Sequence, residues 1–475
     1  MYLSILGYEH RWENEVCLIP EDFSFIPEVA YHNVTPKTLL GEERANDEWI
    51  LEGDQNWKPL DTFLHIDSYQ AFKLPGSLFL FGRRGTGKTA MIKMLAYEAN
   101  SGKIPCYLFS HIIDEEAAYH KLSILVQWSM LGNIPNSDLI YLLSEMWTWI
   151  LNVGAISELI EPDRFDLESD EKACVSNFLM QQKLVGNGSG IDENAIYRVT
   201  TTFTEQFEFI HYNLNALAAA VLKANEKLFT QEFKDAKAVL IKVLKRKNSN
   251  CVVMVDSINY FRPKDNIQIA IFSGLIKATL YFYENKNRDR IIAKIALPSE
   301  LYPYLEPENR EHVEGKNLFI LWKYQDLVNF LAKRFWFYTN RDADKESFKK
   351  FEKFEYSQSF IYELLPSLVE SSKGMQFDTL AYVIRHTQKK PRQLIMLFNT
   401  ILTLAELFNE DVRKKTLTPE TIRKGIHARL DMLVTGSFHI YNHIFPGAEK
   451  LIRRTLTEAN SFFPYAELDK YMVCV

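Results

Sequence analysis

Apolar positions along the chain fall into two patterns, short unbroken runs and longer stretches at helical spacing. "GSLFLFG" (Gly76 to Gly82) is an apolar run closed by glycine, the pattern of a buried strand ending in a loop. "KTAMIKMLAYEAN" follows, with Met91, Met94, Leu95 and Ala99 at helical spacing, so this part reads as strand, glycine loop, helix. "IPCYLFS" (Ile104 to Ser110) predicts a second strand. From about 115 to 245 the pattern is almost wholly helical, as in "YHKLSILVQWSML" and "FIHYNLNALAAAVLKANEKLF", and a polar, acidic, glycine-bearing loop is expected over about 162–195. "CVVMVD" (Cys251 to Asp256) restores strand character with consecutive β-branched residues, as a parallel strand covered on both faces requires. A helix near 266–284, the strand "IIAKIAL" (Ile291 to Leu297), a fifth strand "NLFILW" (Asn317 to Trp322) and the helix "YQDLVNFLAKRF" complete the series.

Strands alternating with helices argue for a parallel α/β sheet, here with a long helical insertion between two core strands. After about 340 the pattern predicts no strand, and "SQSFIYELLPSLVE", "DTLAYVIRHTQ" and "PRQLIMLFNTILTLAELF" read as a helical lid. Thr418 and Pro419 form a helix start, a Thr N-cap with proline at the first helical position. The last stretch reads as short helices split by a Phe-Pro turn, either a small helical or winged-helix-like end or a chain cut short. The expected division is an irregular N-terminal region over 1–70, a core over 71–340, a lid over 341–415 and the C-terminal segment over 416–475.

Composition adds limits. The 475 residues suffice for two to four domains, and 47% hydrophobic with 24% charged residues is ordinary for a soluble globular protein. A net charge of −6 and a pI near 6.1 give no global basic field, so any nucleic-acid contact must use a local patch. Five cysteines lack CxxC or Cys/His ligand spacing, which argues against a disulfide framework or zinc site and for a reducing cytosol. The N-terminus lacks the basic start and long apolar stretch of a signal peptide. "LIYLLSEMWTWILNVGAI" (Leu139 to Ile156) comes nearest to a membrane span, but Ser144, Glu145 and Asn152 interrupt it and a buried helix is the better reading. A cytoplasmic protein with no membrane contact is expected.

The candidate chemistry begins at "FGRRGTGKTA". Gly82-Arg83-Arg84-Gly85-Thr86-Gly87-Lys88-Thr89 matches G-x-x-x-x-G-K-[ST] without deviation, in the strand-loop-helix setting the motif demands, and Ala90 follows inside the helix. Glycines let the backbone wrap closely around phosphates, and the loop N–H groups and helix N-terminus attract the negative charge. Lys88 is expected to reach the β- and γ-phosphates, and the Thr89 hydroxyl to ligate Mg²⁺. Asp256, closing "VVMVD" on a neighbouring strand, is the expected carboxylate partner of that Mg²⁺, with loop capping as the plain alternative. In "VDSIN", Ser257 and Asn259 occupy positions where related ATPases often place an acid to polarise water, and neither can act as a general base. Glu300 in "LPSEL" is a substitute candidate.

These residues resemble the AAA+/STAND division of P-loop ATPases over roughly residues 70 to 430, with the P-loop carrying most of the specificity. The resemblance implies further roles. Ser299, after "IIAKIALP", is similar to the sensor 1 polar residue. Arg392 in "KKPRQL" is similar to the sensor 2 arginine of the lid, and Arg310 in "EPENREH" stands where an arginine finger would act on a neighbour's nucleotide. Each has a plain alternative: a helix cap for Ser299, a solvated lid arginine for Arg392 and an ordinary loop charge for Arg310. ATP with Mg²⁺ is the implied ligand pair, since "NKNRD" (Asn285 to Asp289) puts its Asp one residue late for a guanine site and "SSKGMQ" (Ser371 to Gln376) is misplaced for an ABC signature.

Two functions stay open at this stage. One is an oligomerising ATPase controlling a protein effector on another chain, by analogy with bacterial stress or phage-defence modules. The other is a weakly hydrolysing nucleotide-gated switch or DNA-binding module. Residues 386–454 hold twelve Lys/Arg against six Asp/Glu, including Arg413 to Lys415 and Arg453-Arg454, so a nucleic acid is a candidate partner there beside the reading of a solvated surface. "LKRKNSN" (Leu244 to Asn250) is read as the charged C-terminus of a helix, favourable to its dipole.

Overall fold

The computed structural model describes residues 39–40, 62–113, 122–123, 136–161, 164–185, 191–207, 214–256, 265–305, 307–339, 345–370, 374–407 and 417–438, with 445, 447, 449–450 and 453. The chain divides into two compact units. The first holds Asp67–Arg84 and Lys88–Ile320, and the second holds Met1–Ile66, Gly85–Gly87 and Leu321–Val475.

The first unit is an α/β core around a five-stranded parallel sheet. Helix α1 (Asp67–Phe72) precedes β1 (Phe79–Gly82), and α2 (Lys88–Asn100) leads to β2 (Tyr107–Ile113). The insertion then supplies α3 (Asn136–Ser157), α4 (Ser169–Gln181), α5 (Ile191–Phe207), α6 (Leu214–Leu228) and α7 (Gln231–Arg246) before β3 (Asn250–Val255). Helix α8 (Asn266–Glu284), the single turn α9 (Lys286–Asp289), β4 (Ile291–Pro298), α10 (Pro307–Val313) and β5 (Asn317–Phe319) complete it. The sheet order is β2-β3-β4-β1-β5. Asp256 thus follows a strand that does not neighbour β1. Strand β4 lies between them, which corrects the expected adjacency.

Every residue of β4 is buried, as the apolar pattern requires, and so is the charged one among them, Lys294. Burial pulls its ammonium below the ordinary lysine range. Its three protons have three acceptors: Nζ donates to Phe72 O at 2.7 Å, Leu74 O at 2.8 Å and Ser77 O at 2.5 Å. The clamp satisfies carbonyls at the end of α1 and fixes the turn that feeds β1.

Helix α3 is long and apolar enough to cross a membrane, yet 83% of its most apolar window is buried inside the protein. Helix α8 covers it so closely that a Cβ on Gly274 would lie 2.5 Å from Leu143 Cβ. A second tie joins the insertion to the sheet. His111 on β2 places Nδ1 2.7 Å from Glu158 at the end of α3 and Nε2 2.8 Å from Asp192 on α5. Burial opposes charging the ring, but the hydrogen bonds to Asp192 and Glu158 outweigh it and lift the pKa to about 9.

The expected loop over 162–195 contains α4. Its start carries a capping box, in which Glu168 and Glu171 satisfy each other's backbone N–H groups. Val175, Phe178 and Leu179 are buried. Glu171 receives Lys242 Nζ at 2.8 Å and Arg246 at 2.7 Å from α7. A polar helix with one narrow apolar stripe reads as a loop until the charges that hold it are known.

The second unit contains α11 (Tyr324–Thr339), α12 (Phe354–Leu364), β6 (Leu368–Glu370), β7 (Gln376–Asp378), α13 (Thr379–Arg385), α14 (Pro391–Leu407) and α15 (Pro419–Phe438). Strands β6 and β7 form an antiparallel pair where only helix was expected. Strands of three residues are too short to establish an alternating pattern. The expected cap of α15 is present, with Thr418 Oγ1 accepting from Thr421 N at 3.2 Å. Leu40 is fully buried in this unit, its N–H donating to Asn399 at 2.8 Å and its carbonyl accepting from Arg334 at 2.9 Å.

Two stability measurements follow. Lys294→Met should leave three carbonyls without their donor, that of Phe72 buried, and cost roughly 3 kcal/mol, read as a lower denaturant midpoint; an unchanged midpoint contradicts the clamp. His111 has a raised folded pKa, so its stabilisation is full below about 6.5 and fades as pH rises through about 9. The stability gap between wild type and His111→Gln should shrink by roughly 3 kcal/mol across that window, and a pH-independent gap contradicts the assignment.

Candidate nucleotide site

The C-terminal ends of the parallel strands gather the site, where open α/β sheets commonly bind ligands. In register, Gly82 of β1 lies opposite Pro298 of β4, so the glycine loop and Ser299 leave adjacent strand ends. Val255 pairs with Ile295, which brings Asp256 out along the same edge. Phe81, Phe319 and Tyr302 form a ring cluster beneath, with Phe81 stacked on Phe319 at 5.3 Å and Tyr302 edge-on to both.

The loop conformation depends on its glycines. Gly85 and Gly87 have φ of +86° and +97°, where a side chain would be strained. Helix α2 begins directly after, at Lys88, with no acidic residue in its first turn to oppose an anion. Lys88 Nζ donates to Gly82 O at 2.8 Å and reaches Arg83 O at 3.5 Å, so the ammonium is held back over its own loop. Arg83, Arg84 and Ala90 are half-buried, and Thr86 is buried.

The Thr89 hydroxyl donates to Asp256 Oδ2 at 2.5 Å, joining residues 167 positions apart. A hydroxyl and a carboxylate oxygen are hard ligands suited to Mg²⁺, which takes few protein ligands and completes its shell with phosphates and water. The residues present therefore fit Mg-nucleotide: loop N–H groups and the α2 N-terminus for phosphates, Lys88 for their charge, Thr89 and Asp256 for the metal.

The other expected residues have bonds of their own. Ser299 opens a 3-10 turn (Ser299–Tyr304), and its hydroxyl lies 3.3 Å from Glu300 Oε2. Arg310 turns onto its own segment, donating Nε to Leu305 O at 3.0 Å and a terminal nitrogen to Pro303 O. Arg392 belongs to the second unit together with Gly85, and its backbone N–H donates to Gly85 O at 3.3 Å. Its side-chain stem passes over that glycine, where an added Cβ would lie 3.2 Å from Arg392 Cβ. Ser257 and Asn259 lie outside the described residues, as do Arg413 to Lys415 and Arg454. Arg453 pairs with Asp431 at 2.9 Å and with Glu449 at 2.9 Å.

Sequence reasoning missed Trp322, whose indole N–H donates to Thr86 O at 2.9 Å. With Gly82 O and Gly85 O also accepting bonds, three loop carbonyls have donors. A tryptophan just past a short strand carries no local signal for this role.

A family described as ORC-CDC6-like matches residues 52–102, a stretch that contains the glycine loop and α2. No curated protein matches the chain. This partial match and the parallel sheet support an AAA+/P-loop ATPase-like protein at a coarse level.

Thr89→Ala and Asp256→Asn each remove one of two oxygens suited to Mg²⁺. Both should weaken binding of a fluorescent ATP analogue with Mg²⁺ by about tenfold or more, while binding in EDTA changes little. Equal losses with and without Mg²⁺ would instead mean that the pair only shapes the loop.

Proposed function

We propose that the chain is an ATP-binding AAA+/STAND-like P-loop ATPase of the cytoplasm, coupling binding or hydrolysis of Mg-ATP to self-association and to control of an effector on another chain. The Thr89–Asp256 hydrogen bond at 2.5 Å carries this reading, because the P-loop hydroxyl and the acid of a distant strand meet where Mg²⁺ would bridge phosphates. On binding, Lys88 would exchange loop carbonyls for phosphate oxygens. Glu300 would serve as the water-orienting acid, with Ser299 beside it positioned to sense the outermost phosphate, and Arg392 would report occupancy to the lid. Arg310 would act on a neighbouring subunit after leaving its own loop carbonyls. Bacterial defence modules supply the analogy for an effector-controlling role.

A second reading has its own support. Ser257 and Asn259 are not acids, Glu300 already lies at hydrogen-bond distance from Ser299, and Arg310 is engaged at home. Those features suit a nucleotide-gated switch with little turnover, or a DNA-binding module using the basic C-terminal segment.

Phosphate release separates the readings when measured against protein concentration for wild type, Lys88→Ala and Asp256→Ala. The ATPase reading expects release that rises more steeply than protein concentration, is lost in both variants, and falls at least tenfold in Arg310→Ala. Tight ATP binding with no release at any concentration favours the switch instead.

A further inference from the structure

Parallel strands put every entering turn on one edge of the sheet, opposite the edge that carries the glycine loop. That edge is basic in a chain whose net charge is −6. The turn before β2 presents Lys103, the turn before β3 presents Lys245, Arg246 and Lys247, the turn before β4 presents Lys286, Arg288 and Arg290, and the turn before β5 presents Lys316. The acids on these turns are Glu284, Asp289, Glu311 and Glu314, and Asp289 is buried against Lys237 and Arg288.

Backbone bonds make these turns neighbours. Asn250 donates its N–H and its side-chain amide to Cys106 O, each at 3.1 Å, joining the turns before β2 and β3. Cys251 N donates to Arg290 O at 3.0 Å and Arg290 reaches Asn248 Oδ1 at 3.5 Å, joining the turns before β3 and β4. Lys286 and Lys316 share the ring of Tyr283, at 3.5 and 5.6 Å from its centre, joining the turns before β4 and β5. Asn248 and Arg290 both sit at positive φ, 46° and 58°, in tight turns of fixed shape.

Arg246 is spent on Glu171 and Arg288 on Asp289. Among the described residues the other six cations have no carboxylate partner, and Lys103, Lys245 and Lys247 are exposed. Favouring a helix dipole accounts for Lys245, Arg246, Lys286 and Arg288 in last turns and leaves Lys103, Lys247, Arg290 and Lys316 unexplained.

We propose that this edge binds a nucleic-acid duplex through its phosphate backbone, without reading bases. Four strand spacings make the row about 19 Å long, the length over which a duplex presents about eleven charges. Among the described residues here, the rings of Tyr283 and Tyr97 are taken, by Lys286 with Lys316 and by Lys103 at 4.5 Å, and one exposed ring is left, that of Tyr281, whose hydroxyl accepts from Arg288; a single ring is too few for the successive stacking that a single strand uses. That favours a duplex over a single strand. The surface shares no residue with the nucleotide site or with the basic segment near the C-terminus.

The test is fluorescence anisotropy of a labelled duplex of mixed sequence with the full chain, across a salt series. A single strand, phosphatidylserine vesicles and a polyglutamate peptide serve as the other probes. Wild type should bind the duplex most tightly, with similar affinity for unrelated sequences. The combined variant Lys103→Glu, Lys245→Glu, Lys247→Glu should bind at least tenfold more weakly, and its log-log salt slope should be smaller by about 0.9 for each phosphate that is no longer neutralised. Its Mg-ATP affinity and thermal midpoint should match wild type. Four outcomes overturn the proposal: duplex binding unchanged in the variant, binding abolished only when Arg413 to Lys415 are replaced, tighter binding of the single strand, or tighter binding of the vesicles or the peptide.

Discussion

The buried ammonium of Lys294 is the constraint on which the core depends. It lies in the strand between the P-loop strand and the strand that ends in Asp256, and it holds the carbonyls of Phe72, Leu74 and Ser77. Those residues form the approach to β1. A charged group inside a fully buried strand is tolerated only when each of its protons has an acceptor, so the approach turn can take one shape. The height at which β1 enters the sheet, and so where Gly82 leaves it, follows from that shape.

From this fixed strand the two edges of the sheet acquire different chemistry. The C-terminal edge carries the positive-φ glycines, the N-terminus of α2 and the Thr89–Asp256 hydrogen bond, all suited to a compact, highly charged ligand held with a metal. The N-terminal edge carries the turns that return chain to the sheet, and there cations accumulate. Parallel topology separates the two edges by the length of the strands, so occupancy at one need not block the other. The insertion is tied to the sheet by His111, whose ring is clasped by Glu158 and Asp192.

Much of the core was legible. Strands β1, β3 and β4 were visible as apolar runs, because a strand covered on both faces must be apolar at every position. The glycine loop was visible because its chemistry is local and its spacing fixed. What escaped depends on partners far along the chain. Helix α4 is held by Lys242 and Arg246 on α7, and its own sequence is polar. The β6–β7 pair is too short to show a period. Trp322 finds Thr86 O across 236 residues. Arg310 bonds carbonyls of its own segment, which its sequence does not show.

The sequence by itself determined the α/β class and the glycine loop with Lys88 and Thr89, since these rest on periodicity and on a motif whose residues lie within one turn of chain. Tertiary structure alone decided that β4 separates β1 from β3, that Thr89 nevertheless meets Asp256, and that basic turns distant in sequence form one row. The physical reason is that strand order and the meeting of side chains are set by long-range packing, and local spacing carries no record of it.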